Sequence, residues 1–403
     1  MELAAIALYG LVGLSVGVYL LVVVLYRLSL RGVSSEPSFR TPIRFTILKP
    51  LAGLDDDLET NLDSFARLEG ADYEVLLGVA SSLDPAFAAA NRFVDRHPHL
   101  HAKVILTNPD AAVNPKVAQL LGLEPHATGD VLVISDSNVR VEADYLVHLA
   151  EAFAEPGTHL VSTLVRGSGD RSFGARVENH VLATHVAPSV AAGYMLTERA
   201  ITIGKSMAMW RSALARIGGF AAVADRLAED HVLGQLFDRA GLGVRVIPYF
   251  VDNRNTTCSI RRSYERHVRW AKLRRNLAPA GYAFEPLLWP VVVAALAVVV
   301  VQNATALAVL GGAALVQAIG VRALKNGTAA GSFRVSDVPL EWFRSGFLFV
   351  CWAEGWLSPS VNWRGHRLLL GAGTRLSVPP SALEGATTVA FGQDSPRPLR
   401  AAV

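Results

Sequence analysis

An uninterrupted apolar run opens the chain. Residues 3–25 carry no charge, and about 20 helical residues are enough to cross the roughly 30 Å hydrocarbon layer of a bilayer. A cleavable export signal begins with basic residues and has a shorter apolar core, whereas only the acidic Glu2 precedes this run. The pattern therefore predicts a transmembrane anchor over residues 1–28.

A second apolar region lies near the C-terminal end, over residues 286–321. A polar break at Gln302, Asn303 and Thr305 predicts two short helices joined by a tight turn. Because the two helices would run in opposite directions, both ends of this region are expected on the same side of the membrane.

A third stretch, residues 343–357, is rich in aromatic residues but contains Glu354, and Glu341 and Arg344 lie near its start. This pattern fits a span and an interfacial helix equally, so its topology stays open. Residues 286–358 together are predicted to be a membrane region of two to three hydrophobic segments. Residues 359–403 are expected to be a tail, disordered from about residue 379 because no hydrophobic periodicity remains there.

Short β-rich runs alternate with segments of helical period between the membrane segments. Strands are expected at residues 45–51, 73–80, 102–107 and 130–135, and helices at residues 56–68 and 115–126. Such alternation is typical of an α/β domain, with an open mixed sheet and flanking helices. This domain is placed at residues 40–262, followed by a basic interfacial helix at 263–285.

Composition agrees with a soluble domain attached to membrane segments. Hydrophobic residues make up 51% of the chain and charged residues 18%, too apolar for an ordinary soluble protein and too charged for a pure membrane bundle. The net charge of +3 gives no indication of nucleic-acid binding. Two cysteines do not make a disulfide framework.

Four arginines follow the first apolar run and indicate its orientation. Arg27, Arg31, Arg40 and Arg44 come directly after it, and basic residues at the end of a span favour the cytoplasmic side. The sequence therefore predicts an integral membrane protein whose α/β domain is cytoplasmic.

Polar residues stand at the ends of three predicted strands. They are Lys49, the loop 81–84 and Asp136, and open α/β sheets bind ligands beyond the carboxyl ends of their strands. Asp136 and Asn138 offer the oxygen ligands that Mg²⁺ takes together with substrate phosphates. An Asp in this position is also common in turns and helix caps. No G-x-G-x-x-G follows a strand, which argues against a dinucleotide cofactor.

Two later segments carry further charge. Glu229 and Asp230 stand at the start of a predicted helix, where acids also simply favour the helix dipole. Residues 261–275 form a basic helical segment that contains Trp270, which fits both binding to anionic lipid and binding to a diphosphate.

In order along the chain, these residues resemble the ceramide glucosyltransferases and their bacterial relatives, including the glycosyltransferases of hopanoid synthesis. The family pattern of three aspartates followed by (Q/R)xxRW is matched by Asp84, Asp136, Asp230, Arg266, Arg269 and Trp270. The segments 49–53 (KPLAG) and 114–117 (NPKV) are similar to family segments that border the donor site. Asn138 departs from the pattern, because it replaces the second acid of a DxD motif.

The resemblance implies a GT-A fold and an inverting transfer of a sugar from a UDP-sugar donor to a lipid acceptor at the bacterial inner membrane. The favoured reaction moves glucose from UDP-glucose to ceramide, and the alternative moves N-acetylglucosamine from its UDP donor to a hopanoid or another lipid.

The resemblance also implies a role for each matched residue. Asp230, beside Glu229, is the expected general base. Asp136, with Asn138, is expected to hold Mg²⁺ or Mn²⁺. The expected donor-binding residues are Lys49, Asp84, Lys116, Asp136 and Glu229, and the residues expected at the diphosphate and acceptor are Arg266, Arg269 and Trp270.

Other classes of protein stay open as alternatives. A processive polysaccharide synthase would need more C-terminal spans than the sequence offers. A non-catalytic membrane scaffold would keep the fold without the activity. A lipid transporter is disfavoured because the apolar segments lack a chain of ionisable residues.

Overall fold

The computed structural model describes residues 2–31, 43–199, 201–329, 331–358, 360–363 and 366–377. The chain forms two compact units. The helical unit comprises Met1–Glu36, Thr163–Ile201 and Val246–Leu357. The sheet unit comprises Pro37–Ser162, Thr202–Arg245 and Ser358–Val403.

The strands of the described residues have 2 to 12 residues. In chain order they are β1 (Arg44–Leu51), β2 (Asp72–Val79), β3 (Ala102–Leu106), β4 (Val131–Ser135), β5 (Val139–Arg140), β6 (Thr158–Ser168), β7 (Ser206–Trp210), β8 (Gly243–Arg254), β9 (Ser360–Trp363), β10 (His366–Leu370) and β11 (Leu376–Ser377).

The helices of the described residues have 6 to 28 residues, and those of 18 residues or more all lie in the helical unit. In chain order they are α1 (Glu2–Ser29), α2 (Leu58–Ser64), α3 (Pro85–Arg96), α4 (Pro115–Leu123), α5 (Tyr145–Ala154), α6 (Phe173–Val181), α7 (Ala187–Thr197), α8 (Arg211–Arg216), α9 (Glu229–Arg239), α10 (Ile260–Leu277), α11 (Pro279–Phe284), α12 (Pro290–Val301), α13 (Ala304–Lys325) and α14 (Asp337–Leu357).

The sheet unit contains a mixed open sheet. Strand β1 pairs in parallel with β2 and β4, and β2 pairs in parallel with β3. Strand β7 runs antiparallel to β4 and to β6. The order β3-β2-β1-β4-β7-β6 confirms the predicted α/β fold class. The four predicted strands are present, and each boundary lies within one residue of its predicted position.

The central strands form nearly continuous hydrophobic runs because both of their faces are buried. All five residues of β4 are buried. Helices α4 and α9 pack their apolar faces on the same core, whose members include Leu48, Leu76, Val117, Leu120, Leu132, Ile134, Met207, Met209, Leu233 and Phe237. The core fixes the ends of β1 and β4, where the polar residues predicted from the sequence begin.

Side chains cap the two helices that start at this edge of the sheet. Asp84 caps α3 by accepting from the backbone N–H of Ala86 at 2.8 Å. Asn114 caps α4 by accepting from the N–H groups of Lys116 and Val117. A proline at the first helical position follows each cap, which is where its fixed backbone angle suits a helix.

The helical unit holds two helices long and apolar enough to cross a membrane, α1 and α13, among the residues described. Helices α11 and α12, with the turn between them, form a pair bent by 78° that counts as a third candidate if taken as one span. The 12 residues of α12 rise about 18 Å at 1.5 Å each, which is short of the roughly 30 Å hydrocarbon layer.

The predicted turn at the polar break of residues 286–321 is present, but only the first of the two helices is short, because α13 has 22 residues. Gln302 has a φ of 52° after the end of α12. Asn303 caps α13, because its side chain accepts from the N–H of Ala306 at 2.8 Å. The polar break is therefore a turn between two helices.

Helix α14 carries its charged residues inward. Glu341 and Arg344 are almost fully buried and form an ion pair with each other. Glu341 also accepts from Gln317 of α13 at 3.1 Å and lies 2.9 Å from His180 of α6. This buried polar group joins three helices of the unit, and α14 is not among the candidate spans found in the described residues.

The beginning of the expected tail has regular structure within the sheet unit. Strand β10 pairs antiparallel with β9 and β11. The backbone of Thr374 accepts from Leu227 at 3.0 Å, and Leu376 donates to the carbonyl of Asp225 at 2.8 Å. This short segment thus supports the loop that leads into α9. The expected disorder from residue 379 lies outside the described residues.

Candidate active site

Asp136 stands immediately beyond the buried strand β4, at the carboxyl edge of the sheet. Its Oδ1 lies 2.9 Å from Nζ of Lys116, and its Oδ2 lies 3.0 Å from Nζ of Lys205. Each oxygen of the carboxylate therefore faces a separate ammonium group.

Lys116 links this carboxylate to the start of α9. The cap by Asn114 fixes the first turn of α4, and from there the Lys116 ammonium lies 2.9 Å from Oε1 of Glu229. It also donates to the backbone carbonyl of Gly204 at 3.0 Å. One ammonium thus holds together the end of a strand, the start of a helix and a loop.

Glu229 and Asp230 use their carboxylates differently. Glu229 Oε2 accepts from the side-chain amide of Asn114 at 3.2 Å. Asp230 accepts from the backbone N–H of Gly204 at 2.6 Å and from that of His231 at 2.7 Å. The structure therefore brings together Lys116, Asp136, Glu229 and Asp230, four of the residues predicted from the sequence.

Lys49 belongs to the same edge of the sheet, but its side chain is fully buried. Its ammonium donates to the carbonyl of Asp136 at 2.9 Å and to Oγ of Ser135 at 3.2 Å. It also lies 3.8 Å from the centre of the Phe65 ring, which is within range of a cation–π contact. The lysine therefore fixes the backbone at the end of β4 from beneath.

Burial and charge shift the titration of these groups in opposite directions. Burial lowers the pKa of Lys49 to about 7, and the attraction of Asp136 offsets this only in part. Burial alone would lower the pKa of Lys116, but the carboxylates of Asp136 and Glu229 outweigh it and hold that pKa above its usual value. The Lys116 ammonium stays charged between its two carboxylates.

The two acids on either side of Lys116 also differ in pKa. Burial alone would raise the pKa of Asp136, but the neighbouring ammonium groups of Lys116 and Lys205 keep it well below its usual value. Burial raises the pKa of Glu229, and the nearby charge of Asp230 adds to this effect against the pull of Lys116. Neighbouring acids with shifted pKa values are common in catalytic sites.

Asp84 lies at a neighbouring loop of the sheet unit. Both of its carboxylate oxygens accept from the backbone N–H of Gly53, at 2.9 and 3.2 Å, in addition to the capping bond to Ala86. Gly53 has a φ of +68°, in the left-handed region that glycine adopts readily. Asp84 therefore shapes the KPLAG loop, and its contact with a donor stays a prediction.

Asp136 and Asn138 fit a divalent cation by the chemistry of their donor atoms. Mg²⁺ and similar hard ions take oxygen ligands, commonly one or two carboxylates together with substrate phosphates. Within the described part of the chain, no group of three or more His, Cys, Asp or Glu residues is placed to hold a metal ion. A metal at Asp136 would therefore share its coordination with the amide oxygen of Asn138 and with a ligand.

Two residues of the site were not predicted from the sequence, Gly204 and Lys205. Both precede β7, which is not among the four strands predicted from the sequence. Lys205 donates to Oδ1 of Asn138 at 2.8 Å. A Cβ on Gly204 would lie 2.8 Å from Nζ of Lys116 and 2.9 Å from Oδ2 of Asp230, so a larger residue here would displace both side chains.

Three residues of the predicted site, Arg266, Arg269 and Trp270, lie on α10 in the helical unit. Arg266 Nη1 donates to the buried carboxylate of Glu178 on α6 at 3.2 Å. His267, within the same motif, lies 3.5 Å from Glu178 and packs edge-on against the Trp270 ring at 5.1 Å. Glu178 therefore anchors the RHVRW segment within its own unit.

The sequence profile of one family, described as glycosyl transferase family 21, matches residues 7–376 of this chain. That span includes most of both units and every residue of the candidate site. The chain belongs to glycosyl transferase family 21. It is therefore a glycosyltransferase, and the resemblance to the ceramide glucosyltransferases is confirmed.

Curated relatives of this family 21 glycosyltransferase include two ceramide glucosyltransferases of Caenorhabditis elegans. Ceramide glucosyltransferase 1 is 24% identical over 347 residues, which cover 82% of this chain and 72% of the relative. Ceramide glucosyltransferase 3 is 25% identical over 243 residues, which cover 60% of this chain and 53% of the relative. The sequence likeness thus extends well beyond the short motifs.

Among solved structures, a mannosyltransferase from Pyrobaculum calidifontis, in complex with GDP-Man and Mn²⁺, has a TM-score of 0.51 at 19% identity. The match covers 86% of this family 21 chain and 98% of that one. Glucosyl-3-phosphoglycerate synthase from Mycobacterium tuberculosis, in complex with Mn²⁺ and UDP-glucose, covers 54% of this chain at a TM-score of 0.35 and 18% identity. The first likeness supports the GT-A-type fold, and the second is too weak to carry an argument.

Proposed function

We propose that this chain transfers glucose from UDP-glucose to the hydroxyl group of a membrane lipid such as ceramide, with inversion at the anomeric carbon. The observation that carries the proposal is the ion network in which Lys116 joins Asp136 to Glu229 at the carboxyl edge of the sheet. Ceramide glucosyltransferases of C. elegans are similar to this chain over most of its length, which supports the choice of donor and acceptor.

The lysines at the edge of the sheet suit a nucleoside diphosphate. Lys116 and Lys205 hold ammonium groups on opposite sides of the Asp136 carboxylate, where they can attract phosphate oxygens. Asp136 and Asn138 are the residues that would hold Mg²⁺ or Mn²⁺, which supplies positive charge to the departing diphosphate when bound. Lys49 and Asp84 hold the backbone on which this arrangement rests.

Asp230 is our candidate for the general base. Its carboxylate accepts two backbone N–H groups, which fix its orientation and leave lone pairs for a proton from the acceptor. General-base assistance typically contributes a factor of about 10² to 10⁴ in rate. Arg269 and Trp270 of α10 are proposed to contact the diphosphate and the acceptor.

We also propose that the sheet unit faces the cytoplasm of a bacterial cell and that the chain resides in the inner membrane. The support is the run of arginines after α1 and the candidate spans in the helical unit. An Asp95→Cys variant tests this orientation, because Asp95 is exposed on α3 and both native cysteines are buried. An impermeant thiol reagent should label the variant only after the cells are permeabilised, and labelling of intact cells would contradict the orientation.

The proposed reaction is tested with the purified full chain in detergent micelles. Radiolabelled UDP-glucose and UDP-N-acetylglucosamine are offered separately with ceramide and with a hopanoid, and the lipid products are separated by chromatography. The proposal predicts a labelled product only from UDP-glucose and ceramide. Transfer of N-acetylglucosamine to the hopanoid would replace this substrate pair with the alternative one, and absence of any labelled lipid would favour the scaffold alternative.

A further inference from the structure

Lys205 occupies a position that the strand register sets. Strand β7 runs antiparallel to β4 with Ser206 opposite Ser135, so the residue before β7 meets the residue after β4. The backbone N–H of Asp136 donates to the carbonyl of Lys205 at 3.4 Å. The fold therefore places Lys205 beside Asp136 at this edge of the sheet.

The ammonium of Lys205 contacts the same two side chains that we propose as metal ligands. It lies 3.0 Å from Oδ2 of Asp136 and 2.8 Å from Oδ1 of Asn138. A divalent cation bound to these two oxygens would stand where the ammonium now stands. Because two positive charges repel each other at such a distance, the lysine and the metal compete for this position.

Asn138 makes this competition favour the lysine. With an Asp in its place, two carboxylates would attract a divalent cation strongly, whereas the amide contributes an oxygen without charge. The remaining carboxylate of Asp136 already has two ammonium partners, Lys116 and Lys205. The protein thus neutralises the acid with its own side chains.

We propose that Lys205 is a built-in counter-ion that excludes divalent metal from the free enzyme, so that the metal enters together with the nucleotide diphosphate. This inference rests on the proposed function, because it takes the donor to be a nucleotide sugar. The diphosphate adds negative charge beside Asp136, and the flexible stem of the lysine lets its ammonium move from the two oxygens to the phosphate. The oxygens of Asp136 and Asn138 would then be free to hold the metal, which would supply positive charge to the diphosphate.

Direct binding of Mn²⁺ to the purified full chain tests this order, with free Mn²⁺ followed by electron paramagnetic resonance in the presence and absence of UDP. Wild type should bind Mn²⁺ at least about tenfold more tightly with UDP than without it. Lys205→Met should bind Mn²⁺ without UDP at least about tenfold more tightly than wild type. Lys205→Arg keeps the competing charge and should behave like wild type.

Two further comparisons keep the test decisive. Lys103→Met removes a charge from an exposed position on β3 and should leave Mn²⁺ binding unchanged. Lys205→Gln replaces Lys205→Met if the latter fails to fold, as judged by thermal unfolding. Equal Mn²⁺ affinity of wild type and Lys205→Met without UDP would overturn the inference while leaving the proposed reaction intact. A different pair of results would overturn both the inference and the proposed metal. In that case no variant binds Mn²⁺ even with UDP, and sugar transfer continues in excess chelator.

Discussion

The ammonium of Lys116 and the carboxylate of Asp136 form a 2.9 Å ion pair that joins the start of α4 to the end of β4. Parallel strands direct their carboxyl ends to one edge of a sheet, and the helices that follow them begin there. The ion pair therefore forms where backbone topology alone brings a helix start and a strand end together. These charged groups can thus bind a ligand without a rearrangement of the fold.

Asp136→Asn should lower sugar transfer at least about a hundredfold. The variant leaves the ammonium groups of Lys116 and Lys205 without the charge that separates them, and it removes the only carboxylate proposed for the metal. Transfer rates are measured in the presence of Mn²⁺ and in excess chelator. Asp72→Asn is the matched control, since Asp72 is exposed and pairs with Arg44 at the far end of β2. Full activity of Asp136→Asn would remove Asp136 from the site.

Asp136 and Lys116 were predictable from the sequence because each lies beside a clear signal for the start or the end of an element. The four apolar residues 131–134 just before Asp136 indicate a strand, and Asn114-Pro115 marks the start of the helix that carries Lys116. Gly204 and Lys205 were not predictable in this way. They meet the site only through the antiparallel pairing of β7 with β4, which no local pattern specifies.

Gly204→Ala should lower transfer at least about tenfold while the protein still folds. The new Cβ would lie 2.8 Å from Nζ of Lys116 and 3.0 Å from Cβ of Asp230, so both functional side chains must move. Activity and UDP affinity are compared with those of Gly193→Ala on α7, where the nearest atom to the new Cβ is Cδ1 of Ile201 at 3.6 Å. If Gly204→Ala transfers sugar as fast as wild type, the close packing around Lys116 has no bearing on the reaction.

Asp230→Asn and Arg269→Ala should affect two different parts of the reaction, the deprotonation of the acceptor and the departure of the diphosphate. Without its base, Asp230→Asn should lose a factor of about a hundred or more in transfer to lipid and keep donor affinity. Arg269→Ala should damage both transfer and the slow hydrolysis of donor by water, since both release the same diphosphate. Calorimetry of donor binding and both rates are measured on the same preparations. Loss of donor binding by Asp230→Asn would assign this carboxylate to the donor site instead.

Folding of Asp230→Asn needs its own check. Both oxygens of Asp230 accept backbone N–H groups, and an amide can accept only one of them. An unsatisfied buried donor costs about 1–3 kcal/mol. Glu229→Gln is the comparison, because its carboxylate accepts from side chains, those of Lys116 and Asn114. Thermal unfolding of both variants shows whether a loss of transfer reflects chemistry or stability.

Glu178→Gln should reduce stability in a pH-dependent way. Burial alone would raise the pKa of Glu178, but His267 and Arg266 outweigh it and lower the pKa to about 2 from an ordinary value of 4.5. A carboxyl with a lowered pKa stabilises the folded state above its ordinary value and loses this contribution as the pH falls through the folded value. The advantage of wild type over the variant in thermal unfolding should therefore be constant above about pH 5 and shrink towards pH 3.

Glu265→Gln is the control for this prediction. Glu265 lies on α10 beside the motif, but it is exposed and pairs only with the exposed Arg261 among the ion pairs of the described residues. Its replacement should change the unfolding temperature little at any pH. The difference in unfolding temperature between wild type and Glu178→Gln would be independent of pH only if the partners on α10 do not keep the buried carboxyl group ionised. A pH-independent difference would therefore contradict the prediction.

In the membrane region, some features follow from local composition and others depend on contacts between residues far apart in the chain. Apolar length predicted α1 and the polar break predicted the turn at Gln302, because each depends on local composition. The inward placement of Glu341 and Arg344 on α14 was not predictable, because it depends on His180 and Gln317 from distant parts of the chain. Ionisable residues in an apolar helix therefore indicate a buried partner as readily as an interface.

The central claim is that this family 21 glycosyltransferase attaches a hexose to a membrane lipid, and lipid mass spectrometry of cells expressing the full chain tests it most directly. Cells supplied with ceramide should accumulate a ceramide species heavier by one hexose when they express wild type. Cells expressing Asp230→Asn at the same level should not accumulate it. An identical lipid profile in cells with wild type, with the variant and with no added gene would contradict the account.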